Sequence, residues 1–541
     1  LPPLRDWSWR PALLAIVLLG LALRLRGVHD PILDHPGWRQ GDTAAIARNF
    51  ATLDLNPFHP QTDYDGPPPN YVELELQIVP WIAALLYKAF GVHEIFGRLI
   101  SIAFSLGTIV LAGAFARRHF ASRTAGIVAA LAFAIYPGST YYGRTFMPDT
   151  AMTFLLTAAV FAGAGWILDD EARFGRRFAA AAALAALAVL AKPVAVVGLV
   201  PVLALLAARR GAALLRAPQT YAYLALALVP YAAYDAYLRS IAEWHWASGI
   251  TRLHVVPSLA ASFGSLAAFG AKLSAFKYAL GLLAGTMTGR AGMGAFVLAI
   301  ILTTVWRVPS RSQALLWAWL AAGLAYGYVV VTVERVDYYW YPLLPLCAIW
   351  TGGLGEALRR MLPPGRRVLG AGLAAAYAAL ALAGGRGAVA PYYAYSKEVY
   401  RRAKALDATL PPGALVVMGH YDPSVLYYIG RKGWEEDPYV WTPFDEQSAI
   451  RKGARYFIAI EPRRLARNVE LSHWLLRFPL LDAAAAWPVY ETDPAKILPG
   501  AEERWKAFRA REKRGYGSGK SDAAGAKGTS APRSGEPAST S

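Results

Sequence analysis

Asp42, Asp149, Lys192 and Arg335 are ionisable residues standing beside long apolar runs, in GWRQGDTAAIARNF, YYGRTFMPDTAMTFLL, VLAKPVAVV and ERVDYYWYPLLPL respectively. Charges at the edge of an apolar segment are costly to keep from water, so each needs a reason to be there. Two acids and two bases at one depth suit transfer of a group carried on a lipid phosphate. Lys and Arg bind the phosphate as it leaves, and a carboxylate removes the acceptor's proton. Each residue also has an ordinary structural reading. Asp42 follows Gly41 and Asp149 follows Pro148, which suits helix N-caps. Arg39 stands one helical turn from Asp42 and could form a simple salt bridge. Lys192 could extend to a membrane interface, and Arg335 with Asp337 could be an interfacial pair ahead of the aromatic run Tyr338, Tyr339, Trp340, Tyr341. None of these readings predicts that residues from four separate connections should meet.

The elements that would bring them together are membrane helices. With 541 residues, 55% of them hydrophobic, and a mean hydropathy of +0.30, the chain reads as a polytopic α-helical membrane protein. The net charge of +18 lies in short Lys/Arg clusters between apolar runs of about 17 to 25 residues, which fits membrane orientation and excludes nucleic acid as a partner. About eleven spans are expected, near residues 11–26, 98–116, 124–141, 149–168, 178–191, 193–208, 218–238, 291–306, 313–331, 339–356 and 367–384. The clusters ARRHFASR, DDEARFGRR, ARRGAALLRA, WRVPSR and LRRMLPPGRR occupy every second connection. That parity places the N-terminus inside, and the connection 27–97, Asp149, Lys192, the loop 239–290 and Arg335 outside. To keep the parity, the apolar segment 76–91 is expected to be a juxtamembrane or re-entrant helix in a large first outer loop. The first apolar stretch lacks a convincing cleavage site and reads as an anchor. The single cysteine, Cys347, excludes an intrachain disulfide framework. The expected domains are a transmembrane part, 1–385; a small α/β soluble domain, 386–511, with alternating β-branched runs and helical patterns; and a polar, disordered tail, 512–541.

The order WRQGDTAAIARNF, YVELELQIVPWIAALLYKAFGVHEIFGRLIS, YYGRTFMPDTAMTFLL, LAKPVAVV, RVDYYWYPLLPL resembles the lipid-dependent glycosyltransferases of the GT-C superfamily. It is similar above all to the branch holding the protein O-mannosyltransferases and the lipid A aminoarabinose transferases, over roughly residues 10 to 350. The resemblance implies a GT-C fold and an enzyme that moves a sugar, with inversion, from a polyprenyl-phosphate donor to a lipid, glycan or protein acceptor. It carries a catalytic aspartate in the first outer loop onto Asp42 and a second acid onto Asp149. It carries a lysine at the outer end of a span onto Lys192, and the basic residue ahead of the tyrosine-rich stretch onto Arg335. Arg39 and Tyr338 join Lys192 and Arg335 as expected ligands of the donor phosphate; Glu73, Glu75 and Arg144 are secondary candidates. The chain departs from the family where an acidic pair followed by arginine is usual: Arg39 precedes Asp42 and Thr43 follows it.

No metal is expected, because Lys and Arg can neutralise a phosphomonoester leaving group; Asp63 and Asp65 form an acid-x-acid pair that could hold a divalent cation. The rival functions are a transporter or flippase of a lipid-linked glycan and a polymerase or ligase that uses a polyprenyl diphosphate. The outward crowding of acids favours the transferase over transport. Richness in Ala, Arg, Leu and Gly suggests a bacterial inner membrane with the site on the periplasmic face.

Overall fold

The computed structural model describes residues 9–363, 367–481 and 486–518. It divides into two units: one runs to Leu410 and includes Asp422–Lys432, and the other comprises Pro411–Tyr421 and the chain from Gly433 onward. The second unit thus begins later than the boundary at 386.

The first unit is helical. It opens with α1 (Arg10–Arg24), α2 (Gly37–Thr52), α3 (Ile78–Phe90), α4 (Glu94–His119), α5 (Arg123–Ile135), α6 (Pro137–Tyr142), α7 (Asp149–Asp169) and α8 (Arg176–Ala191). Among the described residues, six stretches are long and apolar enough to cross a bilayer: Glu94–His119, Asp149–Asp169, Pro193–Arg216, Leu266–Met287, Gln313–Glu334 and Gly372–Thr409. Apolar side chains on several helices point outward, among them Leu14, Leu18, Val110, Val229, Ile301 and Leu380, as lipid-facing surfaces require. Inside, α4, α5, α7, α8 and the helix Leu344–Met361 share one core that holds Trp166, Trp319 and Trp350.

Charge separates the two ends of this bundle. At the C-terminal end of α7, Asp169 accepts from Arg311 and is ion-paired with Arg118 and Arg177. Glu356 accepts from Ser122, four residues after Arg118, at 2.6 Å and pairs with Arg359 and Arg360. Basic clusters that are far apart in sequence therefore gather at one end. Asp149 stands at the other end of α7, a helix of 21 residues, or about 30 Å away at 1.5 Å per residue.

The segment 76–91 forms α3, a helix of 13 residues, about 20 Å long and shorter than a hydrocarbon core. It ends at Gly91, whose φ of 86° suits glycine. Ala84 of α3 packs with Ile46 and Phe50 of α2 and with Val72. Ile46 is fully buried between these two helices.

The second unit holds a four-stranded sheet in the order Lys432–Glu435, Leu415–Met418, Ala454–Ile458, Val489–Glu491. Its middle pair is parallel and its last pair antiparallel. Val417, Phe457, Leu471, Trp474 and Leu475 form its core. The final helix, Ala501–Ser518, continues into the stretch read as tail, and residues 519–541 of that tail lie outside the described residues.

Candidate functional site

Local sequence explains how each side chain reaches the site. Pro36, extended at φ −83° and ψ 106°, precedes α2, which starts at Gly37 rather than at Asp42. Asp42 therefore sits within the helix, and the expected N-cap role does not hold. Nor is Asp149 a cap: it is the first residue of α7, after Pro148, and makes no capping hydrogen bond. Its carboxylate still lies in the first turn, where the helix dipole favours negative charge. Pro193 forces Lys192 out of α8 into an extended conformation, φ −169°. The lysine thereby leaves the helix axis, and its Nζ donates to Asp149 Oδ1 at 2.7 Å. The 3-10 turn Asp337–Leu343 brings Tyr338 and Tyr339 under the same ammonium, with both ring centroids 5.4 Å from Nζ.

Arg39 joins the first outer loop to this pair. Its guanidinium is bonded to Glu75, not to Asp42 as the helical spacing suggested. It lies within electrostatic range of Asp42, Tyr338 and Asp149. Asp42 Oδ1 accepts from the Tyr64 hydroxyl at 2.9 Å. Burial pushes the Asp42 carboxyl up to about 7, against the opposing pull of Arg39 and of the Tyr64 hydrogen bond. Such a group changes protonation near neutrality, as a general base should. Asp149 Oδ2 is buried and has no hydrogen-bond partner among the described residues. Arg39, Asp42, Glu75, Asp149, Lys192 and Tyr338 are thus brought together.

The other expected site residues are not bonded to this group among the described residues. Arg335 is exposed, with φ 53°, and its side chain makes no ion pair among the described residues. Asp337 is buried and accepts from Tyr142 at 2.5 Å and Tyr392 at 2.8 Å. Glu73 accepts from the backbone N–H and hydroxyl of Ser248 at 3.2 Å and 2.9 Å. Asp63 is engaged by Arg48, by Lys432 at 2.9 Å and by Asn49 at 3.1 Å. Burial alone would raise its pKa, but the two cations outweigh this and hold it below the usual carboxylate range. With both oxygens occupied, it reads as a structural ion-pair node, and no cluster of three metal-ligating residues occurs among the described residues.

Asp34 was missed. It is buried, and it accepts from Arg98 at 2.9 Å, Gln40 at 2.8 Å, the Tyr141 hydroxyl at 3.2 Å, and Arg144. Arg144 is therefore held by Asp34. This hub ties the α1–α2 connection to α4 and α6, and so fixes where α2 begins. The available signal was Arg98 inside EIFGRLISIAF, because an arginine in an apolar stretch needs a carboxylate. Asp34→Ala leaves two buried guanidinium groups without a counter-ion. It should cost about 3 to 5 kcal/mol, read as a large drop in the thermal unfolding midpoint of the purified protein.

Helix Pro423–Ile429, part of the same unit, closes over α2. A Cβ on Gly41 would stand 2.6 Å from both Cα and N of Ser424, so only glycine permits this approach. Gly41→Ala should displace one of the two helices at a cost of about 1 to 3 kcal/mol, measured as a lowered unfolding midpoint.

Residues 77–234 match the family model described as dolichyl-phosphate-mannose-protein mannosyltransferase. No curated protein matches the chain. Among solved structures, ArnT from Cupriavidus metallidurans in the apo state is 14% identical, with a TM-score of 0.59 over 90% of this chain and 98% of that one. The same protein bound to undecaprenyl phosphate is 15% identical, with a TM-score of 0.58 over 91% and 100%. The archaeal oligosaccharyltransferase AglB from Archaeoglobus fulgidus, in complex with an inhibitory peptide and a dolichol-phosphate, is 12% identical, with a TM-score of 0.53 over 92% and 75%. The apolar helices identify a multi-pass membrane protein; its residues 77–234 are similar to that mannosyltransferase family, and its fold is the one seen in ArnT and AglB, the resemblance its motifs suggested.

Proposed function

We propose that this protein transfers a sugar from a polyprenyl-phosphate donor to an acceptor at the outer face of a bacterial inner membrane, with inversion at the anomeric carbon. The donor class is favoured by relatives solved with undecaprenyl phosphate and dolichol-phosphate. The observation that carries the reading is the buried cluster itself, in which Arg39 lies in electrostatic range both of the Asp42 carboxyl, which burial pushes up to about 7, and of Asp149, the partner of Lys192. An acceptor hydroxyl attacks the anomeric carbon, its proton passes to the Asp42 carboxylate, and the bond from that carbon to the donor phosphate oxygen breaks. The phosphate leaves on its lipid, met by Lys192 and Arg39. Asp149 holds Lys192 in position, and Tyr338 walls the phosphate side.

Three acids, Asp42, Glu75 and Asp149, face two cations, so an arriving phosphate needs a further positive charge. Arg335 is exposed three residues ahead of Tyr338 and supplies it. On the eleven-span topology expected from the sequence, this cluster lies at the outer face and α3 is a juxtamembrane helix. Asp149 and Lys192 stand at helix ends rather than at span midpoints, where a transport path would place its ionisable groups.

The test is binding of polyprenyl phosphate to the purified protein in lipid, for wild type and for Arg335→Gln, an exposed position whose change leaves the fold alone. Micromolar binding that weakens about tenfold in the variant, the loss of one charge-assisted contact, supports the reading. No binding of polyprenyl phosphate by the wild type would overturn it and favour the transporter.

A further inference from the structure

A second basic feature lies apart from the cluster around Asp42. At the end of the bundle away from Asp169, a cavity of about 280 Å³ opens between α1, α6 and the helix Arg367–Val389. Its walls are apolar or small, with Leu23 and Leu382 among them, and its polar groups are Arg26, Arg386, Thr140 and Tyr393. The Arg26 guanidinium lies 4.1 Å from the centroid of the Tyr393 ring, and the Arg144 guanidinium lies 4.5 Å from it. Arg144 is neutralised by Asp34. Arg26 and Arg386 have no acidic partner among the described residues, and both are exposed.

The placement of these arginines is unusual. The N-terminal side of α1 meets the basic end, where Arg117 lies 4.9 Å over Trp9. Arg26 follows the opposite end of α1, where Arg98 and Arg144 already meet the backbone of Gly27. Two further unpaired arginines there are not accounted for by ion pairing. Farther along the two helices that flank the cavity, apolar residues face outward: Leu14 and Leu18 on α1, Leu373 and Leu380 on Arg367–Val389. A dissolved anion would gain nothing from such walls, whereas an amphiphile would use both the cations and the apolar surface.

We propose that this cavity binds the phosphate headgroup of an anionic membrane phospholipid, with Arg26 and Arg386 on the phosphate and an acyl chain lying along α1 and Arg367–Val389. Tyr393 holds Arg26 by stacking, so the guanidinium is pre-oriented before the lipid arrives. Because Tyr393 also stacks with Arg144, an occupied cavity would steady the Asp34 hub that sets the start of α2. The lipid thus becomes a structural cofactor of the site without touching the reacting atoms.

The experiment uses the full-length protein purified in detergent, with native mass spectrometry against phosphatidylglycerol, phosphatidylcholine and inorganic phosphate as separate probes. Wild type should prefer phosphatidylglycerol over phosphatidylcholine by about thirtyfold, the effect of two arginines on one anionic headgroup. The double variant Arg26→Gln with Arg386→Gln should lose the preference, keep an unfolding midpoint close to wild type in lipid-free detergent, and bind polyprenyl phosphate as wild type does. Because the last readout reports the donor site, failure of this proposal and failure of the transferase reading are separable. The proposal is overturned if the double variant keeps the preference, if inorganic phosphate displaces the lipid completely, or if polyprenyl phosphate binding falls in parallel.

Discussion

Asp42→Asn is expected to lower turnover by about 10² to 10⁴-fold, the usual contribution of a positioned general base, while binding of polyprenyl phosphate is retained. Asparagine keeps the hydrogen bond to Tyr64, so the variant should fold. The pH dependence sharpens the test. Because burial holds the Asp42 carboxyl near 7, wild-type kcat should rise with pH and level off above about 7. Donor binding should run the other way, strengthening as pH falls through 7 and the carboxylate loses its charge. The sign for stability is fixed by the same shift. The folded protein keeps this proton at pH values where the unfolded chain has lost it, so wild type loses stability as pH rises from about 4 to about 7. Asp42→Asn lacks that loss. Its unfolding midpoint should match wild type near pH 4 and exceed it at pH 8, even though it is inactive. A variant that was merely misfolded would show the opposite.

Lys192→Ala is expected to produce the second large effect, on both stability and binding. The Asp149 side chain is 2% exposed and that of Lys192 12%, so removing the lysine strands a buried carboxylate. Breaking a buried pair from one side costs about 3 to 5 kcal/mol. Adding Asp149→Asn to Lys192→Ala removes the stranded charge and should restore most of the unfolding midpoint. It should not restore binding of polyprenyl phosphate, because the cation that meets the phosphate is gone. Recovery of binding in the double variant would show that Lys192 only neutralises Asp149.

The parts of this arrangement legible in the sequence were those carried by a single segment. Pro193 after Lys192 announces a helix end, and the apolar length of Asp149–Asp169 announces a helix that can span. Both features follow from local backbone sterics and burial. The basic clusters also foretold their common end: Arg118, Arg177 and Arg311, from three connections, meet at Asp169. Pairings across segments were not legible. Arg39 at three residues from Asp42 looked like its partner, yet Glu75, 36 positions on, holds it. Proximity along a helix does not compete with a carboxylate delivered by another loop. The start of α2 was misjudged for a related reason. Nothing near Gly37 resembles a cap, and the helix is set instead by Pro36 and by Asp34, whose partners Arg98 and Arg144 lie in α4 and after α6. Arg335, singled out by its motif, proved exposed, because a side chain's direction from a left-handed residue is not written in the composition around it.

The most direct measurement follows the lipid product. Wild-type protein in lipid, given a labelled polyprenyl-phosphate sugar and extracted at intervals, should release polyprenyl monophosphate together with sugar of inverted anomeric configuration on acceptor or water; Asp42→Asn should release neither. Release of polyprenyl diphosphate from a diphosphate-linked glycan, or retention of configuration, would contradict the account.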